Sequence, residues 1–349
     1  MRVNRNVLLT CWWAIAAIAF ASSPAAAGGR RVIVDSAGRR VEVPVRVERV
    51  FAAGPPASVL VYTLAPDKLL GWYRPLGLDE RSYIPTRYAD LPTLGKLTGR
   101  SNVPNVEIVR RFRPDVILDY GAVTPRDVSL ADRMQEETGV PYVLIDGSLS
   151  AIPRACRIAG DLLGAAERAA EIARYAERVL AEIDERVARV PPDKRPRMYY
   201  ARGPRGLETE LVESVDRLGA RNVAAGRIDR GPLVPVLLEQ VLDWNPEVIV
   251  TIDTAFNAGV RSDPAWRGVS AVREGRVYLA PLMPFAWLDL PPSVNRLVGL
   301  KWLGRLLYPE LFPEDLREEA RAFYALFYHQ APDERQLDAL LSGTERARP

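Results

Sequence analysis

The sequence predicts an α/β protein of two Rossmann-like lobes, each built on a mostly parallel central sheet, bridged by one long α-helix. Three observations predict this fold. Short apolar runs ending in Gly or aromatic residues alternate with helical stretches in both halves of the 349-residue chain, which is the pattern of parallel α/β packing. Between the halves, residues 165–190 contain no Gly and no Pro, and apolar residues recur at Ala169, Ile172, Ala176, Val179, Ile183, Val187 and Val190. That spacing buries one stripe of a single helix. Finally, NVEIVRRFRPDVILDYG (105–121) has a near-echo in LLEQVLDWNPEVIVTID (237–253). Each has a Glu, a Pro seven residues later, an acidic residue and a β-branched run, so each half carries the same helix–turn–strand unit.

The elements follow in order. Arg2 and Arg5 precede an apolar run from Val7 to Ala21 and the small-residue stretch SSPAAAGG. This is a secretory signal peptide, residues 1–27, with cleavage expected after Ala27. Cys11 lies inside the apolar run, which suits it poorly to lipidation. Residues 28–164 form the first lobe. VIVDSAGRRVEVP reads as two strands around an Ala-Gly turn, and RVFAAG, LLGWY, DVILDYG and PYVLID read as buried strands. The bridging helix, 165–190, would be about 39 Å long at 1.5 Å per residue, and PPDKRP ends it. Residues 191–349 form the second lobe, with strands in RMYYARG, EVIVTID and RVYLAP. Its clearest helices lie in VPVLLEQVLDWNP and PPSVNRLVGLKWLGRLLYP, the latter with Pro at its start.

Composition excludes several classes. Without Arg2 and Arg5 the mature chain has 45 basic against 44 acidic residues, a balance that gives no reason to expect nucleic acid. Only Cys156 remains after cleavage, so no internal disulfide can form. His329 is the one histidine, and its place in RAFYALFYHQAP marks the end of an amphipathic helix. One His and one Cys leave no zinc cluster, no triad apart from His329, and no nucleophile elbow. Neither a Walker A loop nor a G-x-G-x-x-G fingerprint is present. Enzymatic catalysis is not expected; an exported metal-dependent hydrolase on Asp253 or Asp289 is the competing class.

Open α/β sheets bind ligands at the C-terminal ends of their strands. There the first half carries Gly54-Pro55-Pro56, Trp72, Tyr73, Arg74, Lys96 and Tyr120. The second carries Tyr200, Arg202, Arg205, Phe256, Phe285 and Trp287. Rings and guanidinium groups together suit a bulky ligand with an anionic face; each ring is otherwise a core residue. Glu107 and Glu239 lie too far before their strands for catalysis. They are either matched surface charges, one per lobe, or ordinary solvated helix residues.

VIVDSAGRRVEVPVRVERVFAAGP with DKLLGW, then NVEIVRRFRPDVIL and LLEQVLDWNPEVIVTID, resemble the periplasmic binding proteins of iron-siderophore and vitamin B12 ABC transporters. The resemblance covers essentially the whole mature chain. It implies a soluble, monomeric periplasmic receptor with no cofactor, its ligand in the cleft between lobes. The expected partners are an ABC permease dimer with its ATPase. It also implies that Glu107 and Glu239 dock on the permease, one charge per lobe. Ligands in such a family include ferric siderophores, haem, corrinoids, nickel chelates and molybdate-like oxyanions. With His329 as the only histidine, a preformed metal chelate is simpler than a naked metal. The arginines rank a ferric siderophore first, a corrinoid or haem next and a small oxyanion last.

Overall fold

The computed structural model describes residues 29–99, 104–228 and 233–342; the expected signal peptide lies outside them. The chain opens with an antiparallel hairpin, β1 (Arg30–Val34) and β2 (Arg40–Pro44). Its turn is closed by buried Asp35, which accepts from the backbone of Ala37 and Arg39 and pairs with the Arg39 guanidinium. The same carboxylate accepts from Leu144 N, fixing the hairpin to the first sheet. That sheet is β3 (Val50–Ala52), β4 (Val116–Gly121) and β5 (Tyr142–Asp146), parallel and adjacent in that order. Helices α1 (Pro55–Leu64), α2 (Val106–Phe112), α3 (Pro125–Thr138) and α4 (Ile152–Leu163) cover it. LLGWY does not become a strand. It contributes two isolated bridges, Val50 with Leu69 and Trp72 with Thr93.

The bridging helix is α5 (Ala166–Ala188), and it buries the stripe the sequence marks, from Ala169 to Val187. It packs along α4, where Gly160 leaves room for Ala169; a Cβ on Gly160 would sit 2.1 Å from the Ala169 methyl. Beyond it come β6 (Arg197–Ala201), β7 (Glu208–Thr209), β8 (Arg221–Asn222), β9 (Val234–Pro235), β10 (Val248–Thr251) and β11 (Val277–Leu279). The second sheet runs β11-β10-β6-β8, all parallel, with β7 and β9 as a separate antiparallel pair. Helices α6 (Leu238–Trp244), α7 (Arg296–Leu307), α8 (Leu316–Phe327) and α9 (Glu334–Leu341) complete the fold. Pro291 and Pro292 fall ahead of α7 instead of at its first turn, because Ser293 to Asn295 form the turn that leads into it.

The sequence echo has a conformational basis. Both α2 and α6 are seven residues long, and both end on a left-handed non-glycine residue, Arg113 (φ 44°) and Asn245 (φ 39°). Pro114 and Pro246 follow, and each stops the helix because its residue before it disfavours the right-handed region. The chain then enters β4 or β10, an interior strand of its sheet.

One apolar core runs through both lobes along α5. The last helices belong to it and reach back onto the first lobe. Tyr62 donates to Tyr328 O at 2.7 Å and Tyr83 to Gln336 O at 2.8 Å, while Arg168 reaches Leu326 O. Rings continue the contact: Tyr83 lies 5.7 Å from Tyr324, and Trp72 lies 5.6 Å from Phe285. Within the second half, backbone closes on Gly299 of α7, where an added Cβ would stand 2.0 Å from Trp287 O. Backbone cannot yield as a flexible side chain does, so Gly299→Ala should cost about 1–3 kcal/mol by overpacking. A lowered urea midpoint with unchanged slope would show it; an unchanged midpoint would mean that the 281–290 segment shifts freely.

Candidate functional site

The two lobes are in contact just past the C-terminal end of β5. After β5, the loop at Gly147–Leu149 is gripped by two side chains of the second lobe. Arg296, in the first turn of α7, donates to Gly147 O and, at 3.0 Å, to Glu213 Oε2; Glu213 also accepts from Leu149 N at 2.6 Å. Arg296 is buried because α7 is apolar nearly all round, so its charge needs these partners.

Beside this junction lies a cavity of about 430 Å³, lined by Arg202, Glu210, Leu211, Val212, Glu213, Leu233, Leu288, Asp289, Leu290, Pro292 and Arg296. Arg202 follows β6 and projects on the same side of the strand as Tyr200. Its Nη1 donates to Asp289 Oδ2 at 2.8 Å and also to Glu210, and Tyr200 donates its hydroxyl to Asp289 Oδ1 at 2.7 Å. The guanidinium stands 5.6 Å from the Tyr200 ring centre. No carboxylate or carbonyl among the described residues accepts from Nε or Nη2 of Arg202, whose other polar neighbour is the Tyr200 hydroxyl, so one edge of the planar fork has no anionic partner. Burial, and then the neighbouring Asp289 carboxyl, push Glu210 up to about 7. Chemically, the cavity offers a bidentate donor edge, an acid that titrates near neutrality and a leucine-rich wall.

A larger cavity of about 900 Å³ opens beside Arg276, just before β11, and Arg305 near the end of α7. It lies at the N-terminal end of that strand, away from the lobe junction. Size alone does not make it the site; ligands of open α/β sheets sit at the other end.

The structure redistributes the residues singled out from sequence. Trp72, Tyr120, Tyr200, Phe256, Phe285 and Trp287 are all buried, none more than 3 % exposed, so none presents a ring face to the cleft. Trp72, Phe285 and Trp287 join the inter-lobe core instead, and Phe256 packs on Trp266 at 5.0 Å within the second lobe. Tyr120 is also core, its hydroxyl without a hydrogen-bond partner among the described residues. For Tyr120 and Tyr200 this follows from strand geometry: a parallel sheet is covered on both faces, so a ring near a strand end turns into the helix layer.

Tyr73 is half-buried and accepts from Arg74 Nε at 3.0 Å. Arg74 itself is forked onto Glu80 at 2.7 and 2.5 Å, an internal pairing that engages the charge expected to face a ligand. Arg202 remains at the cavity, but with two carboxylates that sequence reasoning did not connect to it. Glu210, Glu213 and Arg296 were not singled out. Arg296 had a readable signal, as a charge amid LVGLKWL; Glu210 had none. Asp253 caps the Thr254–Gly259 helix, accepting from Phe256 N at 3.0 Å. Among the described residues no cluster of three or more His, Cys, Asp or Glu could hold a metal. Glu107 and Glu239 are exposed in the first turns of α2 and α6. His329, just past α8, sits with Nε2 2.9 Å from Tyr62 O, and burial lowers its pKa.

Comparison with known proteins gives a consistent picture. A family model described as "Periplasmic binding protein" matches residues 70–282. The molybdate-binding protein MolA of Haemophilus influenzae is 26 % identical over 332 residues, spanning 85 % of this chain and 91 % of that protein. An ABC transporter solute binding protein from Sulfurospirillum deleyianum superposes with a TM-score of 0.82 at 27 % identity, covering 89 % of this chain and 99 % of the other. The structure of MolA bound to molybdate superposes at 0.72 with 23 % identity, covering 87 % and 99 %, which speaks to the fold.

Proposed function

The chain belongs to the periplasmic binding protein family, and from that premise we propose that it captures a compact solute bearing an oxyanionic face at the Arg202 cavity and presents it to an ABC permease. The edge of Arg202 without an anionic partner carries this reading. A planar pair of N–H donors beside an apolar wall is suited to two oxygens of one anion. A molybdate-type oxyanion comes first, for two reasons. The rings expected to wall a bulky chelate are packed in the core, and 430 Å³ is near the lower end of the ~300–1,000 Å³ range of ligand sites. The relative MolA is named for molybdate.

A second reading, a metal chelate such as a ferric siderophore with anionic oxygens, is favoured by Leu233 and Leu290, both exposed at the cavity. Native mass spectrometry of protein taken from the periplasm, with metal analysis, separates the two. An oxyanion-sized adduct supports the first reading. An adduct of an organic chelator plus one metal sinks it in favour of the second.

The exposed pair Glu107 and Glu239 supports permease docking, since matched helices would place one acidic charge on each lobe against a two-fold partner. Reversing both, Glu107→Arg with Glu239→Arg, should abolish uptake in cells while the purified protein keeps its affinity. Intact uptake would remove the docking role.

A further inference from the structure

The cavity contains a charge arrangement that holding an anion does not require. Glu210 and Asp289 converge on one nitrogen, Nη1 of Arg202. Asp289 has a second donor in the Tyr200 hydroxyl, whereas Glu210 has none among the described residues. Neighbouring groups do not supply the missing positive charge. Arg296 is paired with Glu213, and both are engaged with the Gly147–Leu149 loop. Glu208, on the same ribbon, turns its carboxylate toward Gly203. Two largely shielded carboxylates against one shared cation repel each other, and one of them is driven to bind a proton.

We propose that Glu210 and Asp289 share one proton when the cleft is empty, and that an anion seated on that edge of Arg202 fixes that proton in the site, so that solute capture is coupled to proton uptake. This deepens the oxyanion reading of the same cavity and rests on it. The coupling has a simple origin: negative charge brought beside the pair raises its proton affinity, and the resulting O–H can donate to an anion oxygen. With Glu210 raised to about 7 in the empty site, its carboxyl is partly protonated at neutral pH and takes up more proton on binding. Affinity therefore strengthens as pH falls through about 7. The sign for folding agrees: a carboxyl raised to about 7 contributes stability at acid pH that is lost as pH rises through about 7.

The test has two arms. Carboxyl ¹³C shifts of Glu and Asp in the ligand-free protein should include one resonance moving through neutrality, absent in Glu210→Gln. Both carboxyls ionised by about pH 5 would overturn the proposal whatever the ligand. Calorimetry with sodium molybdate as probe, in buffers of low and high ionisation enthalpy near neutrality, should return a net proton uptake for the wild type and none for Glu210→Gln. Binding without proton exchange overturns the coupling and leaves the oxyanion reading intact. A carboxyl titrating near neutrality with no heat from molybdate supports the shared proton and places the fault in the choice of ligand.

Discussion

Trp287→Ala is expected to lower the stability of the folded protein by about 3–5 kcal/mol, with the affinity of the remaining folded protein for its solute unchanged. Trp287 is 0 % exposed. Its Nε1 donates to the Tyr324 hydroxyl at 3.1 Å, and its backbone lies against Gly299 of α7. The loss therefore combines the transfer free energy of an indole with an unfilled volume between α7 and α8. Tyr324 keeps a partner, since its hydroxyl also donates to Met283 O, so no new unsatisfied group is added to the cost. Against a typical total of about 5–15 kcal/mol, this is a large fraction, and Trp287→Phe provides an intermediate if the alanine variant does not accumulate. Urea unfolding and solute binding on the same preparations decide the matter. A variant of normal stability that has lost its solute would make the ring a ligand wall after all.

Arg202→Ala should weaken binding of an anionic solute by about 3 kcal/mol, roughly 150-fold, for two charge-assisted hydrogen bonds at about 1.5 kcal/mol each. Removing the cation also leaves Glu210 and Asp289 facing the solute, so repulsion adds to lost attraction. Arg202→Lys keeps the charge but loses the planar fork, and an affinity between the other two is expected. Stability should change less than affinity, because Glu210 and Asp289 retain some solvent access. Equal affinities for all three proteins would remove Arg202 from the site.

These two residues show where sequence is informative. Arg202 could be placed because the end of a parallel strand is a topological position, readable from the apolar run before it. Trp287 could not, because whether a ring faces core or cleft depends on what is folded over it. In this chain α8, more than a hundred residues beyond the bridging helix, covers it. Glu210 shows the opposite limit. Nothing in GLETELVES distinguishes it from Glu208 or Glu213, and what sets it apart is its place beside Arg202 and Asp289, the latter 79 positions away. The bridging helix and the paired units at α2 and α6 were legible because both are local patterns. LLGWY had the composition of a strand but no neighbour to pair along its length.

The return of α8 and α9 onto the first lobe also determines when that lobe can be finished. Tyr62, Trp72 and Tyr83 are contributed early in the chain, but the residues that cover them are Phe285, Tyr324 and Tyr328. A polypeptide emerging from its N-terminus therefore carries an uncovered aromatic surface for more than two hundred residues. Such surfaces invite association while they wait. The first lobe is thus continuous in sequence but not autonomous in assembly, and its last structural component is the final helical pair of the other half.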